Sequence, residues 1–267
     1  MSPAERALRY VAARSAGPPI DRAHRVTVNF HPDRGDLLDS LARGGSYVSQ
    51  FVTGTSNGGL TAFPGGDRWR WESRMFGGAY DDAPAADRPV YGALNLRRKA
   101  VGAAPRFGSA HLRLTADCLH RATFCYPDSF LEPTDFGVAT NMRLAELAAE
   151  WDGDPLDGYV EAHVHGPVRV DADVEAVVLD PCYRGTVVER AAARLPCPVE
   201  WHPGFRLPVD ELRRHPKYRG PEFVALGVSL AVDGFLDPAV IGAAVGRHDP
   251  QALKRVWHYV ARFGCLS

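Results

Sequence analysis

Between Tyr159 and Gly166 the chain reads Tyr-Val-Glu-Ala-His-Val-His-Gly. The β-branched residues and the strict alternation predict a strand, in which successive side chains point to opposite faces. Val160, Ala162 and Val164 then form an apolar face, and Glu161, His163 and His165 line up on the other. An apolar face belongs to a core. A row of one carboxylate and two imidazoles is either a solvent-exposed strand face or the wall of a functional site. Imidazoles two apart on a strand can also share a metal, so a metal reading of His163 and His165 stays open, with Glu161 or Asp33 and His31 or His111 as further ligands.

The rest of the chain alternates strand and helix signals. Arg25–Phe30, Ser109–Leu114, Ala122–Tyr126, Val174–Leu179 and Pro198–Trp201 predict strands, with Ala122–Tyr126 a candidate partner of Ser109–Leu114. Val90–Leu96 reads as a strand or a helix start. Residues 3–14, Leu37–Ala42, Asn141–Trp151, Thr186–Arg194, Val209–Arg214, Phe223–Phe235, Pro238–Val245 and Pro250–Phe263 predict helices. Ser49 begins what reads as a strand and runs into a small-residue loop, while Phe63–Pro89 has poor periodicity and predicts loops and short helices. Mixed elements with short connections make the fold class α+β. The expected division is an N-terminal helix over 1–24, an α+β catalytic domain over 25–205, and a helical C-terminal extension over 206–267 packed on it.

Composition restricts the function classes. With a formal net charge of -1, bulk electrostatics recruit neither nucleic acid nor an anionic membrane. Five cysteines without a CxxC pair predict free thiols rather than a disulfide framework or structural zinc. The N-terminus lacks the apolar stretch of a secretory signal, and no run of residues predicts a membrane span, so a cytoplasmic protein is expected. Delivery by a specialised secretion system would leave no such mark.

Four further segments hold candidate binding groups. Phe30-His31-Pro32-Asp33-Arg34 ends a strand and offers His31 and Arg34 to an anionic or hydroxylated ligand, or is simply a turn. Thr53-Gly54-Thr55-Ser56-Asn57-Gly58-Gly59 is dense in hydroxyls, an amide and glycines that let backbone N–H groups approach a ligand. No Gly-Lys-Ser/Thr follows it, so it is not a phosphate-binding P-loop. Tyr91-Gly92-Ala93-Leu94-Asn95 sets an aromatic ring beside a small-residue bend. Arg121-Ala122-Thr123-Phe124 with Asp128-Ser129 forms a further polar cluster.

These segments, in this order over about residues 25–205, resemble a bacterial family catalogued as a domain of unknown function. The same order is similar to the split β-sheet of the ADP-ribosyltransferases. In that superfamily a first strand supplies His or Arg to the nicotinamide dinucleotide, a second supplies a hydroxyl-rich motif or a Tyr, and a later strand supplies a catalytic Glu. The resemblance implies a soluble, toxin- or effector-like glycosyltransferase that takes NAD as substrate and needs no metal. It assigns NAD binding to His31 or Arg34, to Thr53, Thr55, Ser56 and Asn57, and to Tyr91. Glu161 is the implied catalytic carboxylate, with His163 beside it.

The sequence departs from that pattern in two places. The hydroxyl motif is Thr-Gly-Thr-Ser rather than Ser-Thr-Ser, and Glu161 has no second carboxylate two residues away, where transferases that modify arginine carry one, since position 163 is His and position 159 is Tyr. An acceptor other than arginine is therefore implied: another protein side chain, a nucleic acid, a small molecule or water. Two readings of other classes stand beside this one, a metal-dependent hydrolase built on Glu161, His163 and His165, and a non-catalytic nucleotide-binding domain.

Overall fold

The computed structural model describes residues 1–54 and 62–266. Its centre is an eight-stranded sheet. In chain order the strands are β1 (Val26–Phe30), β2 (Val90–Leu94), β3 (Ala110–Leu114), β4 (Ala122–Tyr126), β5 (Asp135–Val138), β6 (Val160–Val164), β7 (Val174–Leu179) and β8 (Val199–Trp201). Their spatial order is β8-β7-β3-β1-β2-β6-β4-β5. Every pair is antiparallel except β7 with β8. The α+β class expected from the sequence is the class observed.

Period two sorts the side chains onto two faces. Val26 and Val28 of β1, Leu112 and Leu114 of β3, Phe124 of β4, and Val160, Ala162 and Val164 of β6 all enter the largest core cluster. Helices Leu37–Gly44, Leu144–Ala149 and Val187–Ala192 cover that face with Leu38, Leu41, Leu144, Val188 and Ala192. The other face is shared. Pro3–Ala12 and Asp67–Met75 cover its β4–β5 side through Ala7, Val11, Trp71 and Met75, packed with Cys125 and Phe136. The C-terminal helices form their own cluster around Phe205, Leu212, Val256 and Trp257. They dock on the turn Pro105–Phe107, where Trp257 Nε1 donates to the Pro105 carbonyl at 2.9 Å.

Several expectations are corrected. Ala122–Tyr126 does not pair with Ala110–Leu114; it lies between β6 and β5. The apolar alternation of Ala110, Leu112 and Leu114 gives a strand its core face but does not name its neighbour. Ser49 opens the short helix Gln50–Thr53, not a strand, because its hydroxyl accepts from Phe51 N and caps that helix. The helix expected over Asn141–Trp151 shrinks to Leu144–Ala149, and Trp151 instead donates its indole N–H to the Asp154 carbonyl. Helix Pro221–Leu230 ends early, and Phe235–Leu236 pairs with Leu207–Pro208.

One glycine fixes the geometry next to the site. Gly108 has φ +156°, and a Cβ there would overlap the Phe30 carbonyl. Its own carbonyl accepts from Asn29 Nδ2 at 3.3 Å, tying the 101–108 loop to β1. Gly108→Ala is expected to cost roughly 3 kcal/mol or more, because the obstruction is backbone that cannot swing away. Urea unfolding of the variant measures this; a midpoint equal to that of the wild type refutes it.

Candidate functional site

The face carrying Glu161, His163 and His165 is not exposed. Glu161 is 7% accessible, His163 0% and His165 2%. The solvent-exposed reading is thus overturned, because the segment after helix Asp67–Met75 lies over the strand. Phe76 meets both imidazole rings edge-on, and Tyr80 stacks on His165 at an interplanar angle of 3°.

Burial on this scale requires partners for the polar atoms, and they form a chain. Glu161 Oε1 lies 2.9 Å from His163 Nε2, and Ser129 Oγ donates to Oε2 at 3.2 Å. A carboxylate only accepts, so His163 donates from Nε2, and its Nδ1 lies 3.3 Å from Thr123 Oγ1. Thr123 Oγ1 in turn lies 3.0 Å from His165 Nε2, and Tyr80 OH is 2.7 Å from His165 Nδ1. Tyr80, His165, Thr123, His163 and Glu161 thus form one continuous hydrogen-bonded chain. Burial, then the neighbouring His163 and Arg121, push His165 down to about 3, so it is neutral at pH 7. Burial alone would raise Glu161; the His163 hydrogen bond, the Arg68 charge and Ser129 outweigh it and hold the carboxyl below its ordinary value. Glu161 is an ionised carboxylate inside the protein.

A second buried network flanks it. Glu72 is fully buried, pairs with Arg88 Nη1 at 2.6 Å, and accepts from Tyr91 OH at 3.0 Å. Burial pushes Glu72 up to about 7 against the pull of Arg88. The Arg68 guanidinium sits 4.0 Å over the Tyr91 ring, and its Nε and Nη1 are buried without a hydrogen-bond partner. Sequence reasoning missed Arg68, Glu72 and Arg88. An Arg and a Glu four apart on a helix look like an ordinary surface pair, and only the covering of Tyr91 and Glu161 puts them inside. Removing Glu72 strands the Arg88 charge, so Glu72→Ala is expected to destabilise by about 3–5 kcal/mol and Glu72→Gln by less. Chemical denaturation of both variants checks the order; equal stabilities would refute it.

Glu161 and Tyr91 open on a cavity of about 460 Å³, the size of a small-molecule site. Neighbouring strands supply its floor. Thr27 and Asn29 come from β1, Tyr91 and Ala93 from β2, and Glu161 from β6. Ala93 stands opposite both Thr27 and Glu161 in the register, so these residues share a face. Arg68, Ser129, Phe107 and Tyr159 add walls, and Lys254 and Arg255 enter from the C-terminal helix Pro250–Phe263.

The other sequence candidates fall elsewhere. His31 is buried under the C-terminal helix, its ring 5.1 Å from that of Trp257, and does not line the cavity. It lies just past the end of β1, where the chain has left the face that holds Asn29. Arg34 stays beside Asp33 on that same side. Thr53 ends the Gln50–Thr53 helix; Gln50 lines the cavity and Thr53 does not. Thr55, Ser56 and Asn57 lie outside the described residues. Both His165 nitrogens are held by Tyr80 and Thr123, so His165 does not join His163 in a metal site. Cys125, Glu161 and His163 do bring ligand atoms within 4.8 Å of one another. Burial, then the charges of Glu161 and Asp128, drive the Cys125 thiol far above its ordinary value, so it stays protonated. Among the described residues no helix is long and apolar enough to cross a membrane.

Comparison with curated proteins finds no match. Comparison with protein families matches residues 25–152 and 141–262 to the family described as "Protein of unknown function (DUF3626)". Those two spans take in the sheet, the cavity and the C-terminal helix, and on that basis the chain belongs to the DUF3626 family.

Proposed function

We propose that the chain is an ADP-ribosyltransferase-like enzyme that cleaves the nicotinamide–ribose bond of NAD at Glu161. The observation that carries this is an ionised carboxylate, buried and oriented by His163 and Ser129, on the wall of a cavity. Tyr91 and the β1 side chains Thr27 and Asn29 share that cavity. Tyr91 and Glu161 fit the second and third strand roles of the resemblance and lie on strands that adjoin one another, whereas His31 and Arg34 do not line the cavity. On β1 the cavity wall is Thr27 and Asn29, whose side chains are already hydrogen-bonded to the 101–108 loop.

The chemistry follows from the carboxylate. Glu161 accepts a hydrogen bond from a hydroxyl of the nicotinamide ribose. As the C1′–N bond breaks, its electron pair leaves with nicotinamide, and positive charge spreads over C1′ and the ring oxygen. A fixed negative charge in a water-poor site stabilises that charge more than it stabilises the ground state. A nucleophile then bonds to C1′ and releases its proton. His163 cannot itself hold an acceptor arginine, which supports an acceptor of another kind.

Incubation with NAD and chromatography for free nicotinamide tests this. Release above the buffer rate is expected, together with a rise in melting temperature on adding NAD, because a ligand that binds only the folded state stabilises it. Neither release nor a thermal shift at millimolar NAD overturns the proposal. A metal-dependent hydrolase is the second reading, and the Cys125–Glu161–His163 grouping is what favours it. Elemental analysis of active protein decides between them, since activity without a bound metal refutes the hydrolase.

A further inference from the structure

We infer that Asp128 takes the proton of the acceptor, so that Glu161 and Asp128 act as a pair of carboxylates on one glycosidic bond. This rests on the NAD reading for its substrate and supplies the proton acceptor which that reaction requires.

Asp128 lines the same cavity as Glu161. Strand β6 and the residue before it hold the Asp128-Ser129 turn at two points. Tyr159 OH donates to Asp128 Oδ2 at 2.6 Å, and Ser129 Oγ donates to Glu161 Oε2 at 3.2 Å. Tyr159 and Glu161 both line the cavity and stand roughly 7 Å apart along an extended chain. Asp128 and Ser129 are consecutive. The two carboxylates are therefore neighbours on one wall.

Their hydrogen bonding gives them different tasks. Both oxygens of Glu161 are engaged, Oε1 by His163 and Oε2 by Ser129, which fixes its charge in place. Asp128 is bonded through Oδ2. Its Oδ1 has no hydrogen-bond partner among the described residues and stays open to solvent. A carboxylate oxygen with free lone pairs on a cavity wall is what a general base needs. Tyr159 is itself buried, with its ring edge-on to Phe107, so the group that orients Asp128 is held in turn.

The surroundings also separate the two in proton affinity. Burial raises the Asp128 carboxyl above its ordinary value against the Tyr159 hydrogen bond, and the Glu161 charge adds to the rise. Burial would raise Glu161 too, but the His163 hydrogen bond outweighs it. The carboxylate of higher proton affinity is the better base, and the other keeps its charge for the oxocarbenium-like centre. Arg106 and Asp157 also act on Asp128, and they pair with each other.

The step balances. The C1′–N bond breaks and its electron pair leaves with nicotinamide. An oxygen lone pair of an O–H acceptor forms the new bond to C1′, and the proton passes to Asp128 Oδ1 and then to solvent. Water is the simplest acceptor of this kind, a weak nucleophile until its proton is drawn away.

Nicotinamide release by the wild type, Asp128→Asn and Glu161→Gln, with and without sodium azide, tests this. The amide oxygen of Asp128→Asn can still accept from Tyr159, and Asp128→Ala serves should that variant not fold. Asp128→Asn is expected to lose about 10²–10⁴-fold in kcat. Azide is a nucleophile with no proton to give up. It should restore release in Asp128→Asn, with ADP-ribosyl azide as the product, and should not restore Glu161→Gln. A merely structural role of Asp128 would not respond to azide. An unchanged rate in Asp128→Asn, or a loss that azide does not restore, overturns the assignment. Glu161-dependent release that is indifferent to Asp128 removes only the proton acceptor. A wild type that releases no nicotinamide removes the NAD reaction and, with it, this step.

Discussion

Glu161→Gln should abolish nicotinamide release while leaving the fold intact. The amide keeps the shape and its contacts to His163 and Ser129, so the loss is one of charge and not of packing. Removing a single preorganised electrostatic group commonly costs about 10²–10³-fold in turnover. A full charge placed against an oxocarbenium-like centre belongs at or beyond the upper end of that range. The effect should fall on kcat, since charge develops only in the transition state, and KM for NAD should move little. Thr123→Val separates orientation from charge. It cuts the link between His163 and His165 without touching the carboxylate, and an intermediate loss of kcat is expected. A Glu161→Gln protein that still releases nicotinamide at the wild-type rate would end the assignment of this residue.

Acid should unfold the protein well before the carboxylates alone require it. Burial, with nearby cations, pushes His111 and His165 down to about 3 and His258 to about 2. In the unfolded chain a histidine binds its proton near pH 6.5. Below that pH the unfolded state gains protons that the folded state refuses, so stability falls as pH falls. It is fully present above about 6.5 and is lost progressively towards the folded values. Each of the three contributes a loss of about 2 kcal/mol by pH 5 and about 3 by pH 4. Glu72 acts the other way. Its folded value near 7 lies above its unfolded one, so the folded state holds the extra proton and gains about 3 kcal/mol on acidification to pH 4. The net loss by pH 4 is roughly 6–7 kcal/mol, comparable to the whole stability of an ordinary domain. Urea midpoints recorded from pH 8 to pH 4 should fall steeply below pH 6, and a flat profile between pH 7 and pH 5 would contradict the neutral buried histidines.

Much of the local structure could be read from residue order, and little of the assembly could. The Val160–Val164 strand was legible because its alternation is strict and its residues β-branched, and Glu161, His163 and His165 do share a face. Helix Pro250–Phe263 was legible from its length and periodicity, with Asp249 capping it and Pro250 in its first turn. Helix Asp67–Met75 was not, because Arg68 and Glu72 sit on its buried side and blur the apolar stripe. Ala122–Tyr126 had a readable strand pattern and an unreadable neighbour.

The sequence by itself therefore determined which residues of β6 face together and made Glu161 the candidate carboxylate, since period two is a property of the extended backbone. Tertiary structure alone decided that this face is buried, that Arg68, Glu72 and Arg88 surround it, that His31 turns away under Trp257, and that Lys254 and Arg255 reach the cavity from more than ninety residues downstream of Glu161. The reason is the range of the forces involved. Strand and helix patterns are set by neighbours in the chain. Burial, charge compensation and the choice of sheet partner depend on residues far apart in sequence, whose meeting no local pattern records.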